Sequence, residues 1–260
     1  MPVFSVRGLV KSFPPGNLAA LDGVDLDVAE GGCLVVAGSN GSGKTLLMKI
    51  VAGLVEPDSG TVAFRGRPLY GAGGATVRAT EAALRRELGL VFQDADAQIV
   101  GETVAEDAAF GPENLGFSKA ETAERVAAAL AAFALADRRD CSPRRLSGGE
   151  KRRLAVAGVV ASGCRTVIMD EPFANLDWPG VTGTLRMIRD LKRDGCTLVV
   201  LTHELEKVLA LADRLVILHR GRIRADGEPA AVLAGLEAEW GVRDPLRRCD
   251  SVGDCSWLDD

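Results

Sequence analysis

The sequence predicts an α/β fold: a parallel sheet preceded by an antiparallel β-subdomain and interrupted by an inserted helical subdomain. Three observations predict it. The glycine-rich stretch GSNGSGKT (38–45) joins the apolar run CLVVA to the helix-prone run LLMKIVAG, and a second apolar run, TVIMD, ends at two carboxylates. Between them, residues 94–163 carry almost no β signal. Strands that alternate with helices around a glycine-rich turn are typical of a nucleotide-binding parallel sheet.

The first part of the chain has the alternation of half-buried strands. Residues 3–36 alternate apolar and polar side chains in short runs, which predicts antiparallel strands joined by a Pro-Pro-Gly turn at 14–16. Residues 56–69 predict a turn and a hairpin. Residues 76–89 then favour a helix, and residues 88–93 favour a short buried strand.

The rest of the chain returns to a βαβ pattern after the helical segment. Apolar positions at helical spacing predict helices over 121–137 and 146–162, the second of which Ser147 opens. Two strands with a helix between them follow, and the chain closes with a hairpin, a helix and an irregular tail. The ranges are 166–170 and 197–202 for the strands, 179–194 for the helix, a hairpin that turns at Arg220-Gly221, and 243–260 for the tail.

Composition limits the class of protein. The chain has 260 residues with 31 basic and 36 acidic side chains, so its net charge is −5 and no overall basic field favours nucleic acid. The N-terminus does not match a secretory signal, and no run reaches the ~18 apolar residues of a membrane span. We therefore expect a soluble intracellular chain, with peripheral membrane association left open.

The six cysteines are scattered along the chain. Cys33, Cys164 and Cys196 lie in or beside apolar segments, which predicts buried thiols of a reducing compartment. Cys249 and Cys255 have a C-x5-C spacing that matches neither a zinc ribbon nor a thioredoxin motif. A redox or metal role for that pair and a loosely packed tail are the two alternatives.

The stretch GSNGSGKT is the first candidate site. A glycine-rich turn that enters a helix exposes backbone N–H groups at the positive end of the helix dipole, and these groups cradle phosphates. In the spacing G-x-x-x-x-G-K-[ST], Lys44 reaches the β- and γ-phosphates and the Thr45 hydroxyl holds Mg²⁺. The alternative is a plain glycine turn with an exposed lysine. The candidate nucleotide-binding residues are Gly38, Ser39, Asn40, Gly41, Ser42, Gly43, Lys44 and Thr45.

The segment TVIMDEP supplies carboxylates for hydrolysis. Asp170 lies at the end of an apolar strand, where it can hold Mg²⁺, and the adjacent Glu171 can polarise the attacking water. Two adjacent buried carboxylates repel each other, so they indicate a bound cation. The alternative is an acidic strand cap.

The segment LSGGE (146–150) is a second predicted anion site. Ser147 can cap the following helix, and Gly148 and Gly149 leave bare N–H groups at its positive end, with Glu150 next in the chain. Two phosphate-seeking helix ends that lie far apart in the sequence indicate one nucleotide held between them.

Six motifs follow one another along the chain: GSNGSGKT, Gln93 in LVFQ, LSGGE, VIMDEP, ANLD (174–177) and His203 in LTHE. This series resembles the ATP-binding subunits of ABC transporters over nearly the whole chain. The resemblance implies a P-loop NTPase (ABC ATPase) core. It also implies that one ABC ATPase domain spans 1–242, with a RecA-like core at 1–93 and 164–242 and a helical subdomain at about 94–163.

The resemblance also implies roles for single residues. Phe13 stacks on adenine, unless it is a core aromatic. Gln93 contacts Mg²⁺ and the attacking water, Asp177 passes contacts across a dimer, and His203 grips the γ-phosphate, unless it is only a capped strand-end histidine. One position departs from the family pattern: Leu46 stands where a second hydroxyl residue is usual. That change removes a hydrogen bond to the α-phosphate worth about 1 kcal/mol.

In this family, the phosphate loop of one subunit faces LSGGE of the other, so that two ATP molecules are sandwiched. The chain has one copy of each motif. We therefore expect a dimer with an identical chain or a close relative as the second ATP-binding subunit, with Ser147, Gly148, Gly149 and Glu150 contacting the ATP of the partner subunit.

Residues 90–118 resemble a narrower group, the ATPases of energy-coupling-factor and cobalt-type importers. Asp96, Gln98 and the run 110–114 (FGPEN) match that group, whereas Ala95 stands where proline is usual. The resemblance implies a groove on the helical subdomain for an integral membrane transport subunit. The alternative is that these residues only pack the subdomain.

Three hypotheses for function follow. The first is the ATPase of a micronutrient importer at the cytoplasmic face of the cell membrane, whose cargo is a transition-metal ion or a vitamin. The second is the ATPase of another ABC importer or exporter. The third is a soluble ABC protein that acts on nucleic acid or ribosomes, which usually has two cassettes, a long coiled coil or zinc cysteines that this chain lacks.

Overall fold

Two sheets organise the protein. The computed structural model describes residues 1–13, 19–71, 75–247, 251–252, 255 and 257, so the turn predicted at 14–16 and Cys249 lie outside the described residues. The four-stranded antiparallel sheet has the order β2-β1-β4-β5 and the six-stranded sheet has the order β10-β9-β3-β8-β7-β6. The strands are β1 (Phe4–Ser12), β2 (Ala19–Val28), β3 (Cys33–Ala37), β4 (Ser59–Phe64), β5 (Arg67–Pro68), β6 (Leu88–Val91), β7 (Thr166–Asp170), β8 (Thr197–Thr202), β9 (Arg214–His219) and β10 (Arg222–Gly227).

Helices cover the larger sheet and form the segment between β6 and β7. They are α1 (Lys44–Val51), α2 (Arg78–Glu87), α3 (Val104–Asn114), α4 (Lys119–Ala132), α5 (Gly148–Ala161), α6 (Trp178–Arg193), α7 (Leu205–Val208) and α8 (Pro229–Ala234). Short 3₁₀ turns occur at Ala136–Arg138, Pro143–Arg145, Leu209–Leu211, Ala238–Trp240 and Pro245–Arg247. None of the helices in the described ranges is long and apolar enough to cross a membrane.

The N-terminal antiparallel sheet is confirmed, but it ends earlier than predicted. Strand β1 pairs antiparallel with β2 and with β4. Residues 33–36, which the sequence assigned to the antiparallel strands, belong to β3, and β3 pairs parallel with β8 and β9. All five residues of β3 are buried. A continuous apolar run is what a strand covered on both faces requires, so the alternation rule does not apply to it.

The parallel strands bring the predicted motifs to one edge of the sheet. Strand β3 leads into the phosphate loop, β7 ends at Asp170, β8 ends at Thr202 directly before His203, and β6 ends two residues before Gln93. These four strands run parallel to one another. Their carboxyl ends therefore meet at the same edge, which is where open α/β sheets bind ligands.

The segment between β6 and β7 is helical, as predicted, but its helices differ from the expectation in two ways. Helix α4 ends at Ala132 rather than at 137, because Ala134 adopts a left-handed backbone conformation (φ 54°) that breaks the helix. Helix α3 was not predicted as a helix. Its run Phe110-Gly111-Pro112 contains two poor helix formers, which hide the helix in the sequence.

The described part of the tail packs against the domain, which does not fit the alternative of a loosely packed tail. Cys255 is buried and belongs to the larger of the two core clusters, which lie on opposite faces of the parallel sheet. The Trp257 ring lies 5.1 Å from the Trp178 ring at the start of α6. The described part of the tail therefore folds back onto the domain.

Candidate nucleotide-binding site

The phosphate loop has no room for side chains at two of its glycines. Gly43 has a left-handed backbone conformation (φ 107°), and a Cβ atom there would lie 2.7 Å from the carbonyl oxygen of Ala20. A Cβ atom at Gly38 would overlap the carbonyl oxygen of Leu218. Side chains at these positions would displace the loop, so bare backbone is a steric requirement of the cradle.

Lys44, the first residue of α1, lies over this loop. Its side chain is only 6% exposed, and its Nζ donates to the carbonyl oxygens of Gly38 at 2.7 Å and Ser39 at 3.3 Å. The alternative of a plain glycine turn predicted an exposed lysine, and that prediction is wrong. Desolvation lowers the pKa of Lys44, and the carboxylate of Glu171, whose Oε1 lies 3.6 Å from Nζ, acts against that shift.

Thr45 and Asp170 meet next to the loop. The Thr45 hydroxyl donates to Asp170 Oδ2 at 2.7 Å, whereas Asp170 Oδ1 is buried and has no hydrogen-bond partner among the residues that the structure describes. Burial raises the pKa of Asp170, and its neighbour Glu171 raises it further. An uncompensated carboxylate oxygen beside a hydroxyl is a donor set that suits Mg²⁺. These residues therefore fit the predicted metal ion.

Glu171 is surrounded by donors. Its Oε2 accepts hydrogen bonds from the Thr202 hydroxyl at 3.2 Å and the His203 backbone N–H at 3.3 Å, and it lies 2.9 Å from His203 Nδ1. The Glu171 side chain is 8% exposed, whereas that of His203 is 46% exposed. Both Asp170 and Glu171 are buried, which favours a cation site over an acidic strand cap. His203 and Lys44 therefore both contact the carboxylate of Glu171.

Phe13 and Gln93 complete the cavity around the loop. Both residues line it together with Asn40–Leu46, Ala20 and Glu171. Phe13 is 52% exposed, and Lys11 Nζ lies 5.7 Å from its ring. Phe13 is therefore not a core aromatic, and its ring is free to stack on a planar ligand. Gln93 is exposed, so its side chain can reach ligands in the cavity.

The predicted helix cap in LSGGE is confirmed. Ser147 accepts a hydrogen bond from the Glu150 backbone N–H, and the Glu150 carboxylate accepts one from the Ser147 N–H at 2.7 Å. This reciprocal pair is a capping box. The hydrogen bond from the Ser147 backbone lowers the pKa of Glu150. Because its carboxylate serves the cap, Glu150 stabilises the segment, while Gly148 and Gly149 present their backbone.

Asp177 lies in the same cavity as the LSGGE segment. It caps α6 by accepting a hydrogen bond from the Gly180 N–H at 3.0 Å, and it lines a cavity with Ser147, Gly148 and Gly149. None of the described residues lines both this cavity and the one around the phosphate loop. Within one chain, the two predicted anion sites are therefore separate.

Comparison with known proteins identifies the family. Residues 21–174 match the family model described as ABC transporter. The chain belongs to the ABC transporter family. It is accordingly an ABC ATPase, an ATP-binding and ATP-hydrolysing chain, and its α/β fold with the inserted helices is that of the family.

Relatives named for transport functions align with nearly the whole ABC ATPase. The cobalt import ATP-binding protein CbiO of Rhodobacter capsulatus is 42% identical over 94% of this chain and 86% of its own length. The energy-coupling factor transporter ATP-binding protein EcfA of Methanocaldococcus jannaschii is 35% identical over 91% of this chain and 83% of its own length. The solved structure of cbiO1 from Clostridium perfringens, described as part of the ABC transporter complex cbiONQ, has a TM-score of 0.81 at 28% identity and covers 97% of both chains.

Some of the residues that resemble the energy-coupling-factor and cobalt-type importer ATPases have structural contacts, and others are exposed. Gln98 is structural: its side chain donates to the Leu90 carbonyl at 2.9 Å and accepts from the Phe92 N–H at 3.2 Å. Gly111 is also structural, because a Cβ atom there would overlap the Ser162 hydroxyl. Phe110, by contrast, is 54% exposed. Gln98 and Gly111 therefore pack the subdomain, whereas more than half of the Phe110 side chain is left exposed.

One part of the site was missed by sequence reasoning. The sequence places three basic residues, Lys151, Arg152 and Arg153, directly after LSGGE without assigning them a role, and the structure gives them three different partners. Lys151 pairs with Asp96, Arg153 donates to the Phe133 carbonyl, and Arg152 is buried against the loops that carry Gln93 and Glu171. Arg152 differs from its neighbours Lys151 and Arg153 in lying on the buried face of α5. That face is known only once the packing of the helix is known.

Proposed function

We propose that this ABC ATPase couples ATP binding and hydrolysis in a nucleotide-sandwich dimer to uptake of a micronutrient, either a transition-metal ion such as cobalt or nickel, or a vitamin. One observation carries the dimer: the phosphate-loop cavity and the LSGGE cavity are separate within one chain. A second subunit, either identical or a close paralogue, would complete each site by placing its own LSGGE opposite the loop. The relatives named for cobalt import and for energy-coupling-factor transport support the class of cargo.

The chemistry of each half-site follows from its geometry. Backbone N–H groups of residues 38–45 and the Lys44 ammonium bind the phosphates, and Phe13 stacks on the adenine. Thr45, Asp170 and Gln93 would hold Mg²⁺, which supplies charge neutralisation at the phosphates when it is bound.

Glu171 positions the attacking water, and His203 contacts the γ-phosphate. The Glu171 carboxylate is held by Thr202 and the His203 backbone, so that it can accept a proton from water without moving far. The half-exposed His203 ring contacts Glu171 through Nδ1, and its other ring nitrogen is available to contact the γ-phosphate, to which it donates when the ring carries both protons.

The dimer is tested with Glu171→Gln, which keeps the size of the side chain and removes its negative charge. We expect turnover to fall by more than about 100-fold, because a general base is lost. We also expect MgATP to convert the variant from monomer to dimer, as measured by light scattering. The matched control is Glu87→Gln, since Glu87 pairs with Arg65 away from the site. A monomer with full activity would contradict the sandwich.

The membrane partner is proposed to dock in a groove between α3, β6 and α5. The groove is lined by apolar side chains that include Ile99, Val100, Phe110 and Leu115, together with Asp107. Val100 is 61% exposed and Phe110 is 54% exposed. Asp107 accepts hydrogen bonds from the Val100 and Gly101 N–H groups at 2.8 and 3.0 Å, which holds Val100 at the rim. A helix of an integral membrane subunit suits such a groove and would place the ATPase at the cytoplasmic face of the cell membrane.

Co-purification from membranes tests the groove and identifies the cargo class. We expect Phe110→Asp to lose the membrane subunit, whereas Leu54→Asp, a change at another large exposed apolar residue, retains it. Metal-ion or vitamin transport subunits in the complex would support the micronutrient importer. Subunits of another class would favour a different ABC importer or exporter. A complex with ribosomes or nucleic acid, and no membrane subunit, would favour the third class. The division into a core (1–93 and 164–242), a helical subdomain (about 94–163) and a tail (243–260) is part of this proposal.

A further inference from the structure

Arg152 is a buried guanidinium without a negatively charged partner. It is 4% exposed and lies on α5, five residues after Ser147. Within the described part of the chain, no carboxylate forms an ion pair with it, and its Nε has no hydrogen-bond partner. Desolvation lowers its pKa. A buried charge is costly, and a well-packed apolar residue in its place is often at least as stable, so Arg152 is better explained by its hydrogen bonds than by a contribution to stability.

The hydrogen bonds of Arg152 connect two catalytic loops. Nη1 donates to the carbonyl oxygen of Glu171 at 3.2 Å and to that of Pro172, and Nη2 donates to the carbonyl oxygen of Gln93 at 2.9 Å. One side chain of the helical segment thus holds the loop after β6 and the loop after β7.

The contact at Glu171 falls on a strained residue. Glu171 has a left-handed backbone conformation (φ 46°), which is strained for a residue with a side chain and persists only where the surroundings enforce it. Its N–H is bonded to the Leu201 carbonyl at 2.8 Å, and its own carbonyl is held by Arg152. The two bonds together set the direction in which the Glu171 carboxylate leaves the backbone.

We propose that Arg152 is a positioning residue for hydrolysis: it holds the Glu171 and Gln93 loops in place and links them to the helix that begins at LSGGE. The link rests on the proposed sandwich, in which Ser147 contacts the ATP of the partner subunit. Arg152 lies about 7.5 Å along the helix from Ser147, at 1.5 Å per residue. A movement of α5 caused by the partner's ATP therefore moves the donor that holds Glu171. ATP bound at one site would in this way change the position of Glu171 in the other site.

The test compares Arg152→Met, which removes every donor, with Arg152→Lys, which keeps the charge but not the fork of two nitrogens. We expect kcat to fall about 10- to 100-fold in both variants, since a displacement of about 1 Å at a catalytic group costs rate on this scale. The dissociation constant of MgATP should change less than about 3-fold, because Arg152 contacts no nucleotide-binding side chain. The matched control is Arg214→Met. Arg214 also donates to a backbone carbonyl, that of Asp27 at 2.7 Å, and lies away from the site, so its loss should lower thermal stability and leave kcat unchanged.

A second measurement separates positioning from general loss of stability. In a Glu171→Gln background, Arg152→Lys should cause little further loss of turnover, because its effect passes through Glu171; a purely structural role would give additive losses. Wild-type kcat in Arg152→Met, or full additivity with Glu171→Gln, would overturn the proposal. Failure of the sandwich would be distinct: Glu171→Gln would then form no ATP-dependent dimer, while Arg152→Met would still lower kcat.

Discussion

Leu46 makes an apolar packing contact where a hydroxyl residue would donate a hydrogen bond to the α-phosphate. It follows Thr45 in the first turn of α1, lines the phosphate-loop cavity and packs, half-buried, against the core cluster that includes Leu47 and Ile50. A hydroxyl residue there would lose this apolar contact and gain a donor toward the α-phosphate. The two effects have opposite signs for the stability of the free protein and for the binding of ATP.

Leu46→Thr separates the two effects. We expect MgATP to bind up to about 5-fold more tightly, the equivalent of about 1 kcal/mol for one hydrogen bond. We also expect the nucleotide-free protein to lose about 1 kcal/mol of stability through lost apolar burial. Calorimetric titration and denaturant unfolding measure the two quantities. Leu54→Thr, at an exposed position outside the cavity, should change neither by as much.

The buried thiols set a limit on stability at high pH. Burial raises the pKa of Cys33 to about 12 and that of Cys164 to about 11, above the ordinary value of 9.0. Because the folded pKa is the higher one, the unfolded chain releases these protons first. The contribution of these two thiols to the free energy of unfolding is therefore constant below about pH 9 and falls as the pH rises from 9 toward 11–12.

The expected result is a decline in unfolding free energy above pH 9 that is shallower in Cys33→Ala. Native protein at pH 8 should also resist alkylation at Cys33 and Cys164, while the partly exposed Cys141 reacts, as peptide mass spectrometry would show. Rapid alkylation of Cys33 in folded protein would contradict the burial on which the prediction depends.

At the scale of elements, α4 and α5 start in the same way and serve different purposes. Each opens with a capping box, Ser118 with Glu121 in α4 and Ser147 with Glu150 in α5. In both, the serine accepts a hydrogen bond from the third backbone N–H of the helix. Only the start of α5 lies in the cavity with Asp177.

This likeness provides a matched pair of variants. Ser118→Ala and Ser147→Ala should each cost about 1 kcal/mol of stability through loss of a helix cap. Only Ser147→Ala should also lower ATP turnover, because its hydroxyl is proposed to contact the partner's nucleotide. Thermal unfolding and steady-state kinetics measure both effects. Equal turnover in the two variants would remove the proposed role of Ser147.

The elements also show what sequence reasoning can and cannot reach. Strands β7 and β8 and the cap at Ser147 are local features, so periodicity and residue type were sufficient to predict them. Helix α3 could not be predicted in this way. Its Gly111 is required because a side chain there would overlap Ser162, which follows the end of α5. Arg152 is similar: its three carbonyl partners come from loops far away in the sequence, and no local pattern encodes them.

At the scale of the whole molecule, one arrangement dominates. The parallel strands gather Lys44, Asp170, Glu171 and His203 at one edge, and the helical insertion carries Ser147 to a separate cavity. The parallel βαβ pattern could be predicted from the sequence, whereas the separation of the two cavities depends on how the insertion packs through α5 onto α6.

In the proposed sandwich dimer this separation has a genetic consequence, because one cavity can be damaged in one chain and the other cavity in its partner. Lys44→Ala should inactivate the chain that carries it, and so should Ser147→Arg, when each is assembled only with copies of itself. Mixing the two mutants should restore part of the activity, since in a hybrid one composite centre has both lesions and the other has none. Complementation of this kind, or its failure, can be read from a simple assay of the blended proteins.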